Sequence, residues 1–198
     1  NLPSRESFSR REFLTVTSAV GAGLGLVGNT RAAAPGPAVP AAKPGQQRLF
    51  GLKFPPLDKV RVAFIGVGSR GSSLLGNLLD IDQVDIKAVA DVVPDRVRSA
   101  QQRVVAKGQP EPAGYAKGET DYEGLCGRDD TDLVYIATPW NWHVRMAVYA
   151  LQQGKHVAIE VPAAMTLEEC WQLVDTAERT RRHCLMLENC CYGEVELL

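Results

Sequence analysis

The chain has 198 residues, a formal net charge of −1 and a hydrophobic content of 45%, values that suit one domain of ordinary size with appendages. No basic stripe favours nucleic acid as a partner, and no acidic run indicates a disordered tail. No uninterrupted apolar run reaches about 18 residues, so no ordinary transmembrane helix is expected. The five cysteines lack the spacing of zinc ligands, and most are expected to be small buried apolar residues.

The first 34 residues are interpreted as an export signal. Residues 9–14, Ser-Arg-Arg-Glu-Phe-Leu, resemble the twin-arginine signature of bacteria. A weakly apolar stretch follows at 16–27, and three alanines at 32–34 offer a cleavage site. The alternative is a disordered N-terminus rich in Ala and Gly. The sequence therefore predicts a twin-arginine signal peptide, a periplasmic or secreted protein, and a Pro/Ala-rich linker over residues 35–57.

The folded part begins with a strand and a glycine-rich turn. The apolar run at 60–65 leads into a Gly-x-Gly-x-x-Gly motif made of Gly66, Gly68 and Gly71. Gly66 allows the tight turn, Gly68 lets the backbone approach a pyrophosphate, and Gly71 lets the next helix pack closely on the strand. Three glycines also occur by chance in loops. A strand before the motif and a helical pattern after it favour a dinucleotide-binding unit.

The second predicted strand, at 86–90, ends on Asp91, about 20 residues beyond the last glycine, where dinucleotide-binding units carry an acid. This carboxylate would accept hydrogen bonds from the adenosine ribose, and its charge would repel a 2′-phosphate, which predicts NAD rather than NADP. The alternative is a helix N-cap or a loop acid. Because nicotinamide dinucleotides are scarce outside the cytoplasm, an exported protein is expected to hold its cofactor tightly and to regenerate it within each turnover.

The alternation of strands and helices continues to the end of the chain. Residues 109–118 are interpreted as a Pro/Gly loop or a short third strand. Apolar runs then predict a fourth, a fifth and a sixth strand at 133–137, 156–159 and 184–187, and a capping box at 166–169 opens the last helix. The uninterrupted alternation predicts an α/β protein with a doubly wound parallel sheet, a Rossmann-type domain over residues 58–190.

The fourth strand leads into a loop, Thr-Pro-Trp-Asn-Trp-His at 138–143, which includes Trp140 to His143. This loop is expected to face the cofactor, because ligands bind at the carboxyl ends of the strands in open α/β sheets. The fifth strand ends at Glu160 and Val161, and the sixth at Glu188 and Asn189. The alternatives are core packing for the two tryptophans, a helix N-terminal residue with a satisfied hydrogen bond for the histidine, and a loop carboxylate bonded to backbone N–H groups for the glutamate.

These motifs resemble the glucose–fructose oxidoreductase and inositol dehydrogenase (Gfo/Idh/MocA) superfamily. Most of its members carry Glu-Lys-Pro at the end of the fifth strand, where the lysine assists hydride transfer, but Val161 occupies that position here. Three segments are similar instead to the NAD-dependent glycoside hydrolase family 109: Ala-Thr-Pro-Trp-Asn-Trp-His at 137–143, Ile-Glu-Val-Pro-Ala-Ala at 159–164, and Leu-Glu-Asn-Cys-Cys-Tyr-Gly at 187–193. The resemblance covers residues 60–193.

The resemblance to family 109 implies an α-N-acetylgalactosaminidase with tightly bound NAD. Terminal α-N-acetylgalactosamine would be oxidised transiently at C3 and deprotonated at C2; elimination, addition of water and re-reduction would complete the hydrolysis. This route needs no pair of carboxylates at the usual glycosidase spacing. A glycan or glycoside is the implied partner, and a homo-oligomer stays open. The rival interpretations are a periplasmic NAD-dependent sugar oxidoreductase and a non-catalytic NAD-binding relative.

The resemblance also assigns roles to residues. With the turn glycines included, the implied cofactor contacts are Gly66, Gly68, Ser69, Arg70, Gly71, Asp91, Trp140, Asn141, Trp142, His143, Glu160, Val161 and Asn189. Glu160 and Tyr192 are the candidate catalytic residues; the alternative for Tyr192 is the start of the next element. Family members continue into an α+β substrate domain that supplies the principal catalytic His and Tyr. Residues 191–198 are interpreted as its start, and the fragment by itself is expected to be inactive.

Overall fold

A computed structural model describes residues 48–49 and 51–192. Within this part of the chain, six strands form one sheet: β1 (Val60–Ile65), β2 (Val84–Ala90), β3 (Ala113–Tyr115), β4 (Leu133–Ile136), β5 (His156–Glu160) and β6 (Cys184–Leu187). All neighbours are parallel and the spatial order is β3-β2-β1-β4-β5-β6. This order confirms the predicted doubly wound sheet. It reverses direction between β1 and β4, which makes their carboxyl ends the place where a ligand crevice is expected.

Helices cover both faces of the sheet. The α-helices are α1 (Ser69–Leu79), α2 (Pro94–Ala106), α3 (Tyr122–Cys126), α4 (Trp140–Gln152) and α5 (Leu167–Thr180), and a 3₁₀ turn (Asn189–Tyr192) follows β6. Strand β1 shows how the layers share the core. Val62 and Phe64 pack with α1 and α2, whereas Ala63 and Ile65 pack with α3, α4 and α5. All four side chains are buried, as expected for a central parallel strand that is covered on both faces.

The N-terminus of α5 shows how local sequence begins a helix. The Glu169 N–H donates to Oγ1 of Thr166 at 3.1 Å, and the Thr166 N–H donates to Oε2 of Glu169 at 3.2 Å. The two bonds satisfy backbone N–H groups that have no partner within the helix. The predicted capping box is confirmed.

The expectation that most cysteines are buried is wrong for two of them. Cys126 is buried, but Cys170 and Cys190 are exposed. Cys170 shares the helix face of the buried Leu173 and Ala177, but it lies in the first turn of α5, where Leu167 is exposed as well. A helical stripe of apolar residues predicts that one face is buried, but it does not determine how far along the helix the burial extends.

Some predictions concern residues outside the described part of the chain, namely the signal peptide at 1–34, most of the linker, and residues 193–198. The described end of the linker packs on the amino edge of the sheet. The Phe54 ring contacts the imidazoles of His156 and His183 edge-on, with centroids 4.4 and 5.1 Å apart. Over the described residues, no helix combines the length and hydropathy needed to cross a membrane.

Candidate functional site

A pocket of about 520 Å³ opens at the carboxyl edge of β1, β2 and β4, a volume within the usual range for small-molecule sites. Seven of the predicted cofactor residues line it: Gly66, Gly68, Ser69, Arg70, Gly71, Asp91 and Trp142. The pocket therefore lies at the reversal of strand order, where the fold predicts a ligand.

The glycine turn forms the inner wall of this pocket. Gly66 has a φ of +89°, and a Cβ there would lie 2.7 Å from the Ala137 carbonyl oxygen. A Cβ on Gly71 would overlap the carbonyl oxygen of Gly66. By contrast, a Cβ on Gly68 would meet nothing closer than Nη1 of Arg96, at 3.6 Å. The first and third glycines are thus required by the protein itself, while the second leaves its backbone open toward the pocket.

The turn leads directly into the N-terminus of α1, which suits a pyrophosphate. Gly68 is the N-cap residue, no side chain caps the helix, and its first turn contains no acidic residue. The first N–H groups of a helix, together with its dipole, attract an anion. The open backbone at Gly68 and this uncapped helix end together fit the diphosphate of a dinucleotide.

Asp91 is held at the tip of β2 by the backbone. Its Oδ2 accepts from the Val67 N–H and its Oδ1 from the Val93 N–H, both at 3.0 Å. Nη1 of Arg96 lies 3.5 Å from Oδ1, and the Asp91 side chain is only 6% exposed. Asp91 therefore behaves in part as the loop acid of the alternative interpretation. Each carboxylate oxygen can accept more than one hydrogen bond, so the ribose contact stays a prediction.

His143 is fully buried and links two loops instead of lining the pocket. Its Nδ1 lies 2.7 Å from the carbonyl oxygen of Pro162, and its Nε2 lies 2.8 Å from that of Thr138. Carbonyl oxygens only accept, so both hydrogen bonds form together only when the ring carries two N–H groups. The side chain matches the alternative of a satisfied residue near a helix N-terminus, and a cofactor contact at this position would have to come from its backbone.

The two tryptophans have different surroundings. Trp142 is half-buried, lines the pocket and packs edge-on against Tyr122, with centroids 6.5 Å apart. Trp140 is 61% exposed at the start of α4, so core packing does not explain it. Neither Trp140 nor the exposed Asn141 borders the pocket, and cofactor contacts from these two residues stay predictions.

A charged network beside the pocket joins the first turn of α1 to the carboxyl ends of β5 and β6. Arg70 donates from Nε and Nη2 to the two carboxylate oxygens of Glu160, each at 3.3 Å, and from Nη2 to Oδ1 of Asn189 at 3.3 Å. Burial, and then the nearby Glu160 charge, raise the pKa of Tyr135 to about 12. Glu160 thus pairs with a side chain, rather than with the backbone N–H groups of the alternative interpretation. The fold brings together three residues that the resemblance named separately.

The remaining candidates lie nearby. Val161, at the position of the superfamily lysine, is half-buried directly after Glu160. Tyr192 ends the 3₁₀ turn that follows β6, and its side chain lies outside the described part of the structure. In residues 48–49 and 51–192, no group of three or more His, Cys, Asp or Glu side chains is arranged to hold a metal ion.

The sequence interpretation missed Arg96 as a pocket residue, whereas Thr138, which also lines the pocket, belongs to the loop at 138–143 that was expected to face the cofactor. Arg96 had a detectable signal, because it stands in the first turn of the helix that follows the β2 acid. In dinucleotide-binding folds an arginine near that acid contacts the adenosine end of the ligand. Thr138 directly follows the β4 run, at the strand end where ligands are expected.

A family model described as an oxidoreductase family with an NAD-binding Rossmann fold matches residues 60–188. A glycosyl hydrolase family 109 protein of Streptomyces filamentosus is 48% identical in an alignment of 208 residues. The match covers 98% of this chain and 42% of that protein. An α-N-acetylgalactosaminidase of Bacteroides fragilis is 54% identical over 154 residues, 78% of this chain and 36% of that protein. The chain thus spans less than half the length of these relatives.

Among solved structures, an NAD-binding protein from Listeria innocua superposes with a TM-score of 0.60 at 28% sequence identity. The match covers 69% of this chain and 37% of that one. It supports the same doubly wound architecture that the strand order shows.

Proposed function

We propose that the full-length protein is an NAD-dependent glycoside hydrolase that releases terminal α-N-acetylgalactosamine. The chain belongs to the Gfo/Idh/MocA oxidoreductase family with its NAD-binding Rossmann fold, and this membership confirms the predicted cofactor. The 54% identity to the Bacteroides fragilis α-N-acetylgalactosaminidase carries the proposal. Val161 supports it, because it replaces the lysine that most superfamily oxidoreductases carry at this strand end.

Bound NAD would supply reversible oxidation at C3 of the sugar. The backbone at Gly68 and the N-terminus of α1 would hold the pyrophosphate, and Asp91 would accept from the ribose hydroxyls. Arg70 holds the Glu160 carboxylate beside the pocket, where we assign it an active-site role together with Tyr192. Deprotonation at C2, elimination, addition of water and reduction at C3 would make the net reaction a hydrolysis.

The domain assignment belongs to the same proposal. Residues 1–34 would direct twin-arginine export, residues 35–57 would link to the NAD-binding domain at 58–190, and residues 191–198 would begin the substrate domain. The protein would then act in the periplasm or outside the cell, with its cofactor loaded before export. Regeneration of NAD within each turnover suits a compartment that cannot resupply it.

The first test uses the full-length protein, purified without added cofactor. After denaturation, mass spectrometry is expected to detect released NAD. Hydrolysis of an aryl α-N-acetylgalactosaminide is expected to proceed without added NAD, and in D₂O the released sugar should carry deuterium at C2. A sugar oxidoreductase would need an added acceptor, and a non-catalytic relative would release NAD on denaturation but cleave nothing.

The second test uses the 198-residue chain. We expect it to bind NAD but not to cleave the aryl glycoside, since the proposed substrate domain provides most of the sugar contacts. Measurable turnover by this chain would contradict that division of roles.

A further inference from the structure

The described end of the predicted linker lies across the amino edge of β5 and β6. We call this segment, residues 48–49 and 51–54, the strap. Leu49 packs on a buried cluster that includes residues of α4 and α5, and the Leu52 N–H donates to the Leu49 carbonyl at 2.9 Å. An apolar anchor and a hydrogen-bonded turn are features of a packed segment rather than of a flexible tether.

Two side chains near the start of β6 hold the strap by its backbone. Nη1 of Arg181 donates to the carbonyl oxygen of Arg48 at 3.2 Å. Nε2 of His183 lies 3.2 Å from the carbonyl oxygen of Leu52, which accepts a hydrogen bond when Nε2 carries the proton. Both side chains belong to the connection between α5 and β6, so the strap is attached to the segment that leads into this strand.

Phe54 adds contacts to both strands. Its ring meets the imidazoles of His156 and His183 edge-on, with centroids 4.4 and 5.1 Å apart, and Cζ of Arg182 lies 5.7 Å from its centroid. Edge-on ring pairs and cation–π contacts at such distances are stabilising. Together with Arg181, these three residues form what we call the amino-edge surface.

Strand β6 needs this support more than the central strands do. It is the last strand of the described sheet and pairs with β5, and Leu185 and Met186 are each 56% exposed. At its start, the His183 N–H donates to Nδ1 of His156 at 3.1 Å, and the Val157 N–H donates to the His183 carbonyl at 2.9 Å. Since segments with few buried contacts open first in local unfolding, the strap contacts at His183 act where the sheet is weakest.

We propose that the amino-edge surface is a docking site for the strap, and that docking fixes β6 in the sheet. The folded domain then begins at residue 48, before the boundary at 58 that the sequence predicts, and the linker shortens to residues 35–47. The chain enters the domain at the edge opposite the cofactor pocket, so the upstream segment need not be removed before the cofactor binds. Neither the sugar substrate nor the glycosidase reaction enters this proposal.

Hydrogen exchange in the full-length protein, read by mass spectrometry on peptides that cover β6, tests the docking. Phe54→Ala is expected to speed the exchange of β6 at least about fivefold, while β3, at the other edge of the sheet, exchanges as before. Leu57→Ala is the matched control, because Leu57 follows the strap closely but is 56% exposed. It should change neither strand.

Two truncations of the full-length protein test the boundary. A protein that starts at residue 48 should exchange at β6 as the intact protein does, whereas one that starts at residue 58 should exchange faster, as Phe54→Ala does. Unchanged exchange at β6 in Phe54→Ala and in the protein that starts at 58 would overturn the proposal. Faster exchange of β3 and β6 alike would also overturn it, because the strap would then stabilise the whole domain rather than β6.

NADH binding tests the position of the strap relative to the pocket. The intact protein and the protein that starts at residue 48 should bind NADH with the same affinity, after the resident cofactor has been removed. Weaker binding by the intact protein would overturn this part of the proposal, since the upstream segment would then interfere with the pocket. Circular dichroism checks that each variant is folded.

Discussion

The two halves of the carboxyl edge are held together by different means. At the β1–β2 half, backbone atoms make the contacts. Gly66 and Gly71 let backbone segments approach each other closely, and two backbone N–H groups hold the Asp91 carboxylate. At the β4–β5–β6 half, side chains make the connections. There His143 joins two loops, and Arg70 spans Glu160 and Asn189.

This difference determines what a substitution should do. A backbone that has no room for one more carbon cannot adjust locally, so damage to the first half should affect folding as a whole. Side-chain contacts can be lost one at a time, and the half-exposed Arg70 contributes little to stability. Damage to the second half should therefore appear mainly in cofactor binding, except at the fully buried His143.

The largest effect is expected for Gly71→Ala. The added Cβ would overlap the Gly66 carbonyl oxygen, so either α1 or the turn must move. We expect the free energy of unfolding to fall by about 3 kcal/mol or more and NADH binding to be lost, as measured by urea denaturation and fluorescence titration.

Gly68→Ala is the matched control for the glycine turn. Its Cβ would meet only the Arg96 side chain, at an ordinary contact distance of 3.6 Å. Its stability should change by less than about 1 kcal/mol, while NADH binds more weakly because the new methyl group enters the pocket. Similar losses of stability in the two variants would contradict the different roles of these glycines.

The second effect in size is expected for His143→Ala. It leaves the carbonyl oxygens of Thr138 and Pro162 without their donor and opens a cavity, at a cost of roughly 2 to 3 kcal/mol. Gln152→Ala, at an exposed site on the same helix, should cost less than about 0.5 kcal/mol. Equal unfolding free energies for the two variants would mean that the buried link does not contribute.

Nitrogen NMR tests the same link without a change in sequence. The chain has three histidines, so His143→Ala is enough to assign the His143 ring signals. Each ring nitrogen of His143 contacts a carbonyl oxygen, so the number of protonated ring nitrogens shows how many of the two contacts are hydrogen bonds. A single protonated nitrogen would show that one of the two contacts is not a hydrogen bond.

Arg70→Met should separate binding from stability. The side chain is 51% exposed, so the loss of its ion pair should change the unfolding free energy by less than about 1 kcal/mol. NADH affinity should fall about tenfold, in line with one lost charge-assisted contact and a displaced Glu160. Arg98→Met serves as the control for removal of a surface charge. Unchanged NADH affinity in Arg70→Met would show that the network of Arg70, Glu160 and Asn189 does not contribute to cofactor binding.

The smallest effect is a pH dependence at the amino edge, far from the pocket. Burial lowers the pKa of His156 below 6.5, with added contributions from His183 and Arg182, and Asp132 opposes them. The unfolded chain therefore takes up the proton at a higher pH than the folded one. The contribution of neutral His156 to the free energy of unfolding is present above about pH 6.5. It is lost as the pH falls through the lower pKa that His156 has in the folded protein.

Thermal unfolding at pH 7.5 and 5.5 measures this dependence, and His156→Phe should reduce the difference between the two melting temperatures. NADH affinity at pH 7.5 should stay unchanged in this variant, because the imidazole contacts Phe54 and His183 at the edge opposite the site. A weaker NADH affinity would show that the two edges are coupled.

The sequence was most informative where neighbours along the chain decide the outcome. The glycine turn, the capping box of Thr166 and Glu169, and the acid at the tip of β2 were all predicted from spacing. The capping box depends on hydrogen bonds within a few residues, and the glycine turn and the acid belong to a standard strand–helix–strand unit. The doubly wound sheet followed from the alternation of these units.

Contacts between distant residues were decided by the tertiary structure. Arg70 meets Glu160 across 90 positions and Asn189 across 119, and only the order of the strands brings them together. His143, predicted beside the cofactor, turns inward because two carbonyl oxygens of neighbouring loops face its ring. By itself the sequence determined which residues stand at the carboxyl ends of the strands. Packing decided which of them face the pocket, because a side chain's direction depends on the loops and helices that close around it.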